Sequence, residues 1–322
     1  MAVRLVYMVL SSKALPYASR AIETLFENCT ESVNLTLITD EKSDRLKIEE
    51  AIGTMVLPQG SECKVVDKNE CDDKAEDHFR NQPKLREFRY SGHPCWRKVT
   101  DPLLYGSEED EFIVLDPDLY FPNKFSFEPT PEKGVLLMYQ RPNCLFPPEA
   151  VTRAMDKGVP LANHVDIGIG QAQNGSIDVD WLNWFISAID AMDFRAYMHI
   201  EAIVWAACAM RFGGGYFEPS IWRCWQRGHI KRMLFASGLV SGPSLLKWEN
   251  LEGVKCIHVS GPSKWWVLEA EQRGILKTLQ NSHTHPSKNI DFIELSRDEY
   301  INELKMKDIF RKIGYYRITK SS

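Results

Sequence analysis

Short apolar runs alternate with helix-period stretches through the first fifty residues. Arg4-Leu-Val-Tyr-Met-Val-Leu10 predicts a strand that breaks at Ser11-Ser12. Pro16 then stands in a first helical turn, and Ala18, Ala21, Ile22, Leu25 and Phe26 recur at helical spacing. Val33-Asn-Leu-Thr-Leu-Ile-Thr-Asp40 alternates as a strand does and ends in an acid, and a charged helical stretch runs from Asp44 to Ile52. Strand, helix, strand, helix predicts a βαβ unit and a mostly parallel sheet.

Residues 59–84 are polar and acidic and read as a surface excursion. Arg86, Arg89, Arg97 and Lys98 follow, ahead of Phe112-Ile-Val-Leu115, an uninterrupted apolar run suited to a strand covered on both faces. Gly134 to Tyr139 predicts another strand, and His164 to Gly170 a strand or turn with two glycines. Trp181, Trp184, Phe185 and Ile189 mark one helix face, while Ala202 to Met210 is apolar all round and predicts a buried helix. Arg211-Phe-Gly-Gly-Gly-Tyr216 reads as a helix stop and turn. Val254 to Lys264 predicts a strand running into a Gly-Pro turn, and Ser296-Arg-Asp-Glu299 is a capping box opening a last helix with Ile301, Leu304, Ile309, Phe310 and Ile313.

Composition narrows the classes. With 322 residues, 44% apolar and 26% charged, the chain suits one large or two ordinary globular domains, and a net charge of −5 argues against a nucleic-acid partner. Eight scattered cysteines without a Cys-x-x-Cys pair argue against a zinc ribbon and a redox pair. The start MAVRLVYMVLSS lacks a long apolar region with a cleavage site. The expectation is therefore a cytoplasmic protein with reduced thiols and unused sequons at Asn28, Asn34 and Asn174.

Candidate chemistry gathers where strands are expected to end. Asp116 and Asp118 follow the apolar run, and two close carboxylates at a strand's carboxyl end are oxygen ligands for Mg²⁺ or Mn²⁺. Asp-Pro-Asp is equally good turn chemistry, so the spacing leaves both readings open. Downstream stands His258-x-x-Gly261-x-x-Lys264: a metal-competent imidazole, a glycine that admits a phosphate, and a cation to neutralise it. Together the two segments could hold a divalent cation on a diphosphate. Trp181/Trp184 and Trp222/Trp225 read as core, while Trp265 or Trp266 is expected to line the site.

This combination, with Asp166-Ile-Gly168 between its halves, resembles glycosyltransferase family 8 and its GT-A-fold relatives over roughly the first 265 residues. The resemblance implies a single GT-A, Rossmann-like α/β domain over 1–265, its mixed, mostly parallel sheet flanked by helices. A helical extension over 266–322 would pack on it. It further implies a glycosyltransferase of hexosyltransferase type using a UDP-sugar and Mn²⁺ or Mg²⁺, with retention at the anomeric carbon and a glycan, lipid-linked or small-molecule acceptor. By resemblance Asp116, Asp118 and His258 are metal ligands, and Gly261 and Lys264 clamp the diphosphate. Val9, Ser11 and Asp40 lie where uracil and ribose are held, Arg97 or Lys98 faces the donor, and Asp166 contacts the donor sugar. Glu201, in Met198-His-Ile-Glu201-Ala202, stands for an acidic position of an Asp-Gln-Asp-like stretch whose amide residue is missing, and Lys264-Trp265-Trp266 replaces Lys-Pro-Trp.

Two rivals use the same residues differently: a haloacid-dehalogenase-type phosphatase with Asp116 and Asp118 as nucleophile and acid/base, and a GT-A-like domain that binds without transfer. The basic tail, with Lys305, Lys307, Arg311, Lys312, Arg317 and Lys320 against Glu303 and Asp308, suits either an anionic membrane surface or packing on the domain.

Overall fold

The structure, a computed structural model, describes residues 3–225, 228–277, 279 and 281–319. In chain order the strands are β1 (Arg4–Val9), β2 (Val33–Thr39), β3 (Glu62–Asp67), β4 (Glu111–Leu115), β5 (Leu119–Tyr120), β6 (Lys124–Phe125), β7 (Val135–Tyr139), β8 (Val165–Gln173), β9 (Gly214–Tyr216), β10 (Trp222–Cys224), β11 (Cys256–His258) and β12 (Ser282–His283). The main sheet has the order β3-β2-β1-β4-β8-β7-β10-β11-β5, with β9 also on β7. Strands β1 to β4 are mutually parallel, as are β7, β9, β10 and β11, while β8 runs against both β4 and β7 and β5 against β11.

Alternation along each central strand explains why the sheet is buried twice. Tyr7, Phe112, Val114, Val135 and Leu137 face one apolar cluster, covered by the helices Pro83–Ser91, Pro148–Asp156, Val179–Ala188 and Ile200–Phe212. Val6, Met8, Ile113, Leu115, Leu136 and Met138 face another, covered by Leu15–Asn28 and Lys42–Ile52. Ile200–Phe212 is buried from Ile200 through Ala209, as its all-round apolar sequence requires.

Residues 59–84 are not a surface excursion alone. Glu62–Asp67 is an edge strand, with Val65 and Val66 buried against the sheet, and Asp67 caps the helix Lys68–His78 by accepting from the amides of Asn69 and Glu70. The run Glu-Cys-Lys-Val-Val-Asp is charged on the positions that meet water, as edge strands commonly are, which disguised it.

Beyond residue 265 the chain is only partly helical. Trp266–Gln272 docks on Leu15–Asn28 through Glu271, which accepts from Arg20 Nε at 2.6 Å and from the Tyr120 hydroxyl at 3.2 Å. From Asn281 to Leu295 the chain lies across the body as an extended strap: β12 pairs β6, Ile290 pairs Tyr216, and Leu295 N donates to Leu161 O. Ser296 caps the last helix, its Oγ accepting from Glu299 N at 3.1 Å, while Glu299 Oε1 accepts from Asn163 Nδ2 at 3.1 Å, and Arg297–Lys312 follows with Tyr300 buried. Lys307, Arg311 and Lys312 pair with Glu303 or Asp308, and Ile301, Ile309, Ile313 and Ile318 stay exposed; Lys320 lies outside the described residues. No helix among the described residues is long and apolar enough to cross a membrane.

Candidate active site

The chain leaves β1 towards β2 and β3, then returns to β4 on the other side of β1. Such a reversal opens a crevice at the carboxyl ends of the strands, and a cleft of about 580 Å³ lies there. Two backbone features bring its chemistry together. First, β5 does not extend β4: after the turn Asp116-Pro117-Asp118 it pairs with β11 at the far end of the curled sheet, Leu119 opposite His258. Second, the pairing of β7 with β8 shifts register between Leu137 and Met138, opposite Gly170 and Asp166, an irregularity of the kind that re-aims side chains.

The result is a buried cluster around one imidazole. His258 Nε2 lies 3.1 Å from Asp118 Oδ1 and 3.7 Å from Asp116 Oδ2, while Nδ1 donates to Asp166 Oδ1 at 2.7 Å. Asp166 Oδ1 also accepts from Gly168 N at 2.9 Å, and Oδ2 accepts from the Cys224 thiol at 3.5 Å. Burial disfavours the imidazolium, but Asp166 and Asp118 outweigh it and hold the His258 pKa well above its ordinary value. Burial likewise opposes ionisation of Asp118, yet His258 pulls its carboxyl below the usual range. Asp116 is raised by burial, with the neighbouring Asp118 charge adding to it, against Lys98 and His258.

A second charge group adjoins the first. Lys98 Nζ donates to Asp116 Oδ1 at 2.6 Å and pairs closely with Glu201 in the first turn of Ile200–Phe212. Burial pushes the Glu201 carboxyl up to about 8, Lys98 pulling the other way. Lys264 also lines the cleft, its ammonium 4.8 Å from the centre of the Tyr17 ring. Gly261 takes φ +64° with open space where a Cβ would be, which leaves its backbone approachable from the cleft.

Of the residues singled out from sequence, Val9, Ser11, Asp40, Lys98, Asp116, Asp118, Asp166, Glu201, His258, Gly261 and Lys264 all line this cleft. Arg97 does not: it is buried, pairs with Asp40 and donates to Thr39 O at 3.2 Å, so it reaches the cleft only by holding Asp40. Neither tryptophan lines it. Trp266 covers Gly242, where a Cβ would lie 2.1 Å from the indole, and Trp265 stands edge-on to Tyr17. Sequence reading missed Tyr17, Gln140, Cys144 and His199, which also line the cleft, and Cys224, which meets Asp166; none carries a spacing that marks it.

The residues fit a divalent cation. One oxygen each from Asp116 and Asp118 and a ring nitrogen of His258 lie within 4.8 Å of one another, a donor set suited to Mn²⁺ or Mg²⁺. Asp166, Cys224 and His258 form a second such group, but it draws on the same imidazole.

No protein-family model matches the chain, and no curated protein matches it. Among solved structures it is similar to mouse xyloside xylosyltransferase 1 in its apo form, at TM-score 0.51 and 14% identity, over 80% of this chain and 97% of that one. The fold is of the GT-A type. In this GT-A fold the cleft residues come from the end of β1 (Val9), the turn after β4 (Asp116, Asp118), the end of β11 (His258) and the start of β8 (Asp166), with Lys98 and Glu201 supplied by helices.

Proposed function

We propose that this protein is a metal-dependent glycosyltransferase that moves a sugar from a nucleotide sugar, UDP-linked by its motifs, to a hydroxyl acceptor with retention of configuration. The observation that carries the reading is the meeting of Asp116, Asp118 and His258 in the cleft at the strands' carboxyl ends, in a fold shared with a xylosyltransferase. These three residues would hold Mn²⁺ or Mg²⁺, which supplies positive charge to a diphosphate leaving group.

The chain's own residues carry the rest. Lys264, aimed into the cleft over Tyr17, neutralises diphosphate charge that grows as the bond to the anomeric carbon breaks. Gly261 lets the backbone come close to the same phosphates. Val9, Ser11 and Asp40 border the nucleoside end, with Arg97 fixing Asp40. Lys98, held between Asp116 and Glu201, fixes both carboxylates on the donor-sugar side. The acceptor oxygen bonds to the anomeric carbon on the face the diphosphate leaves, and its proton passes to the departing phosphate oxygen, so no separate protein base is required.

The test is Asp118→Ala beside wild type, with Mn²⁺ and a panel of UDP-sugars. Transfer and Mn²⁺-dependent UDP release should fall at least a hundredfold in a variant that still unfolds cooperatively. Wild-type turnover by that variant, or phosphate release from simple esters in place of sugar transfer, would sink the reading.

A further inference from the structure

We infer that Asp166 is the positioning residue for His258, fixing its ring so that Nε2 faces the pocket formed with Asp116 and Asp118. The inference rests on the reading of those three residues as a metal site, and it gives Asp166 a task other than touching the donor sugar.

Three independent features converge on it. The carboxylate is immobilised from both sides: Gly168 N and His258 Nδ1 meet Oδ1, and the Cys224 thiol meets Oδ2. The backbone is shaped for this contact, because the register shift opposite Leu137 and Met138 falls at Asp166 to Gly170 within an otherwise regular β8. Finally, the residue facing the ring is one that makes room for it, since a Cβ at residue 168 would lie 2.5 Å from His258 Nδ1 and only glycine admits the imidazole in this seat. Nδ1 lies on one edge of the ring and Nε2 on the opposite one. An acceptor held at Nδ1 therefore keeps a hydrogen there and leaves the Nε2 lone pair for a cation, the arrangement by which carboxylates orient ligating histidines.

The experiment measures Mn²⁺ affinity from the electron paramagnetic resonance signal of unbound Mn²⁺, without nucleotide, in wild type, Asp166→Ala, Asp166→Asn and Asp118→Ala. Thermal unfolding of each metal-free protein reports its fold. Asp166→Ala should bind Mn²⁺ about 10–100-fold more weakly than wild type. Asp166→Asn keeps an oxygen that accepts from Nδ1–H and should recover most of that loss, a rescue that a purely structural role would not give. Wild-type affinity in Asp166→Ala overturns the inference, as does an Asp166→Asn variant that folds but binds no better than the alanine. If wild type binds no Mn²⁺, or Asp118→Ala binds as wild type does, the metal-site reading itself fails.

Discussion

At the scale of single residues, Gly168 carries a sharp constraint. The space a methyl group would need there is taken by the His258 ring, with Nδ1 at 2.5 Å and Cγ at 2.7 Å. Gly168→Ala should therefore push the ring from its seat and lower Mn²⁺ affinity by about tenfold or more, read by the same titration, while the unfolding midpoint falls by a few degrees at most. Asp116 was legible because it stands directly after an apolar run, Asp118 because it lies two residues on in the same turn, and His258 because it closes the strand-like stretch from Val254; a strand's end is readable from where such a run stops. The link between Asp166 and His258 was not, since it depends on a register shift that leaves no periodic mark. Arg97 and Lys98 make the same point. They are neighbours on one helical turn, both basic and both buried, yet one turns to Asp40 and the other to Asp116 and Glu201.

Among elements, the strap from Asn281 to Leu295 has, besides its backbone pairings, a buried carboxylate as an anchor. Glu128, fully buried, accepts from Lys255 Nζ at 2.8 Å, from Trp222 Nε1 at 2.7 Å, and from the amide and hydroxyl of Ser287, each at 2.7 Å. Removing one partner of a buried pair strands the other, so Glu128→Ala should cost about 3–5 kcal/mol of unfolding free energy, measured by urea denaturation. The last helix should lose its hydrogen-exchange protection before the rest of the protein does. A loss under about 1 kcal/mol would show that water reaches Lys255 in the variant. The strap's path was not legible in the sequence because it forms few regular pairs: its bonds go to a side chain, to β6 and to isolated bridges. By contrast the helices Leu15–Asn28 and Ile200–Phe212 were readable from their spacing alone, since each buries the residues its apolar pattern singles out.

For the whole molecule, the sheet order explains why cleft residues so far apart in sequence lie together. A cation and nucleotide held between the ends of β4 and β11 would tie the first half of the chain to the second. With Mn²⁺ held saturating, UDP at about a hundred times its Kd should add about 2.7 kcal/mol of apparent stability, and that gain should vanish in Asp116→Ala. A thermal-shift series over UDP concentration, with and without Mn²⁺, measures it.

The pairing of β5 with β11 also sets an order in time. Asp118 and His258 are 140 residues apart, so their meeting waits on closure of a long loop, whereas β1 and β2 are near neighbours in the chain. The cleft should be among the last parts of the protein to form. In pulse-labelled refolding, amides of β1 and β2 should gain protection before Ile257 and His258 do. A chain still emerging during synthesis and ending short of Cys256 would carry both aspartates yet lack their histidine, and so could not assemble the three-residue cluster before its sheet is complete.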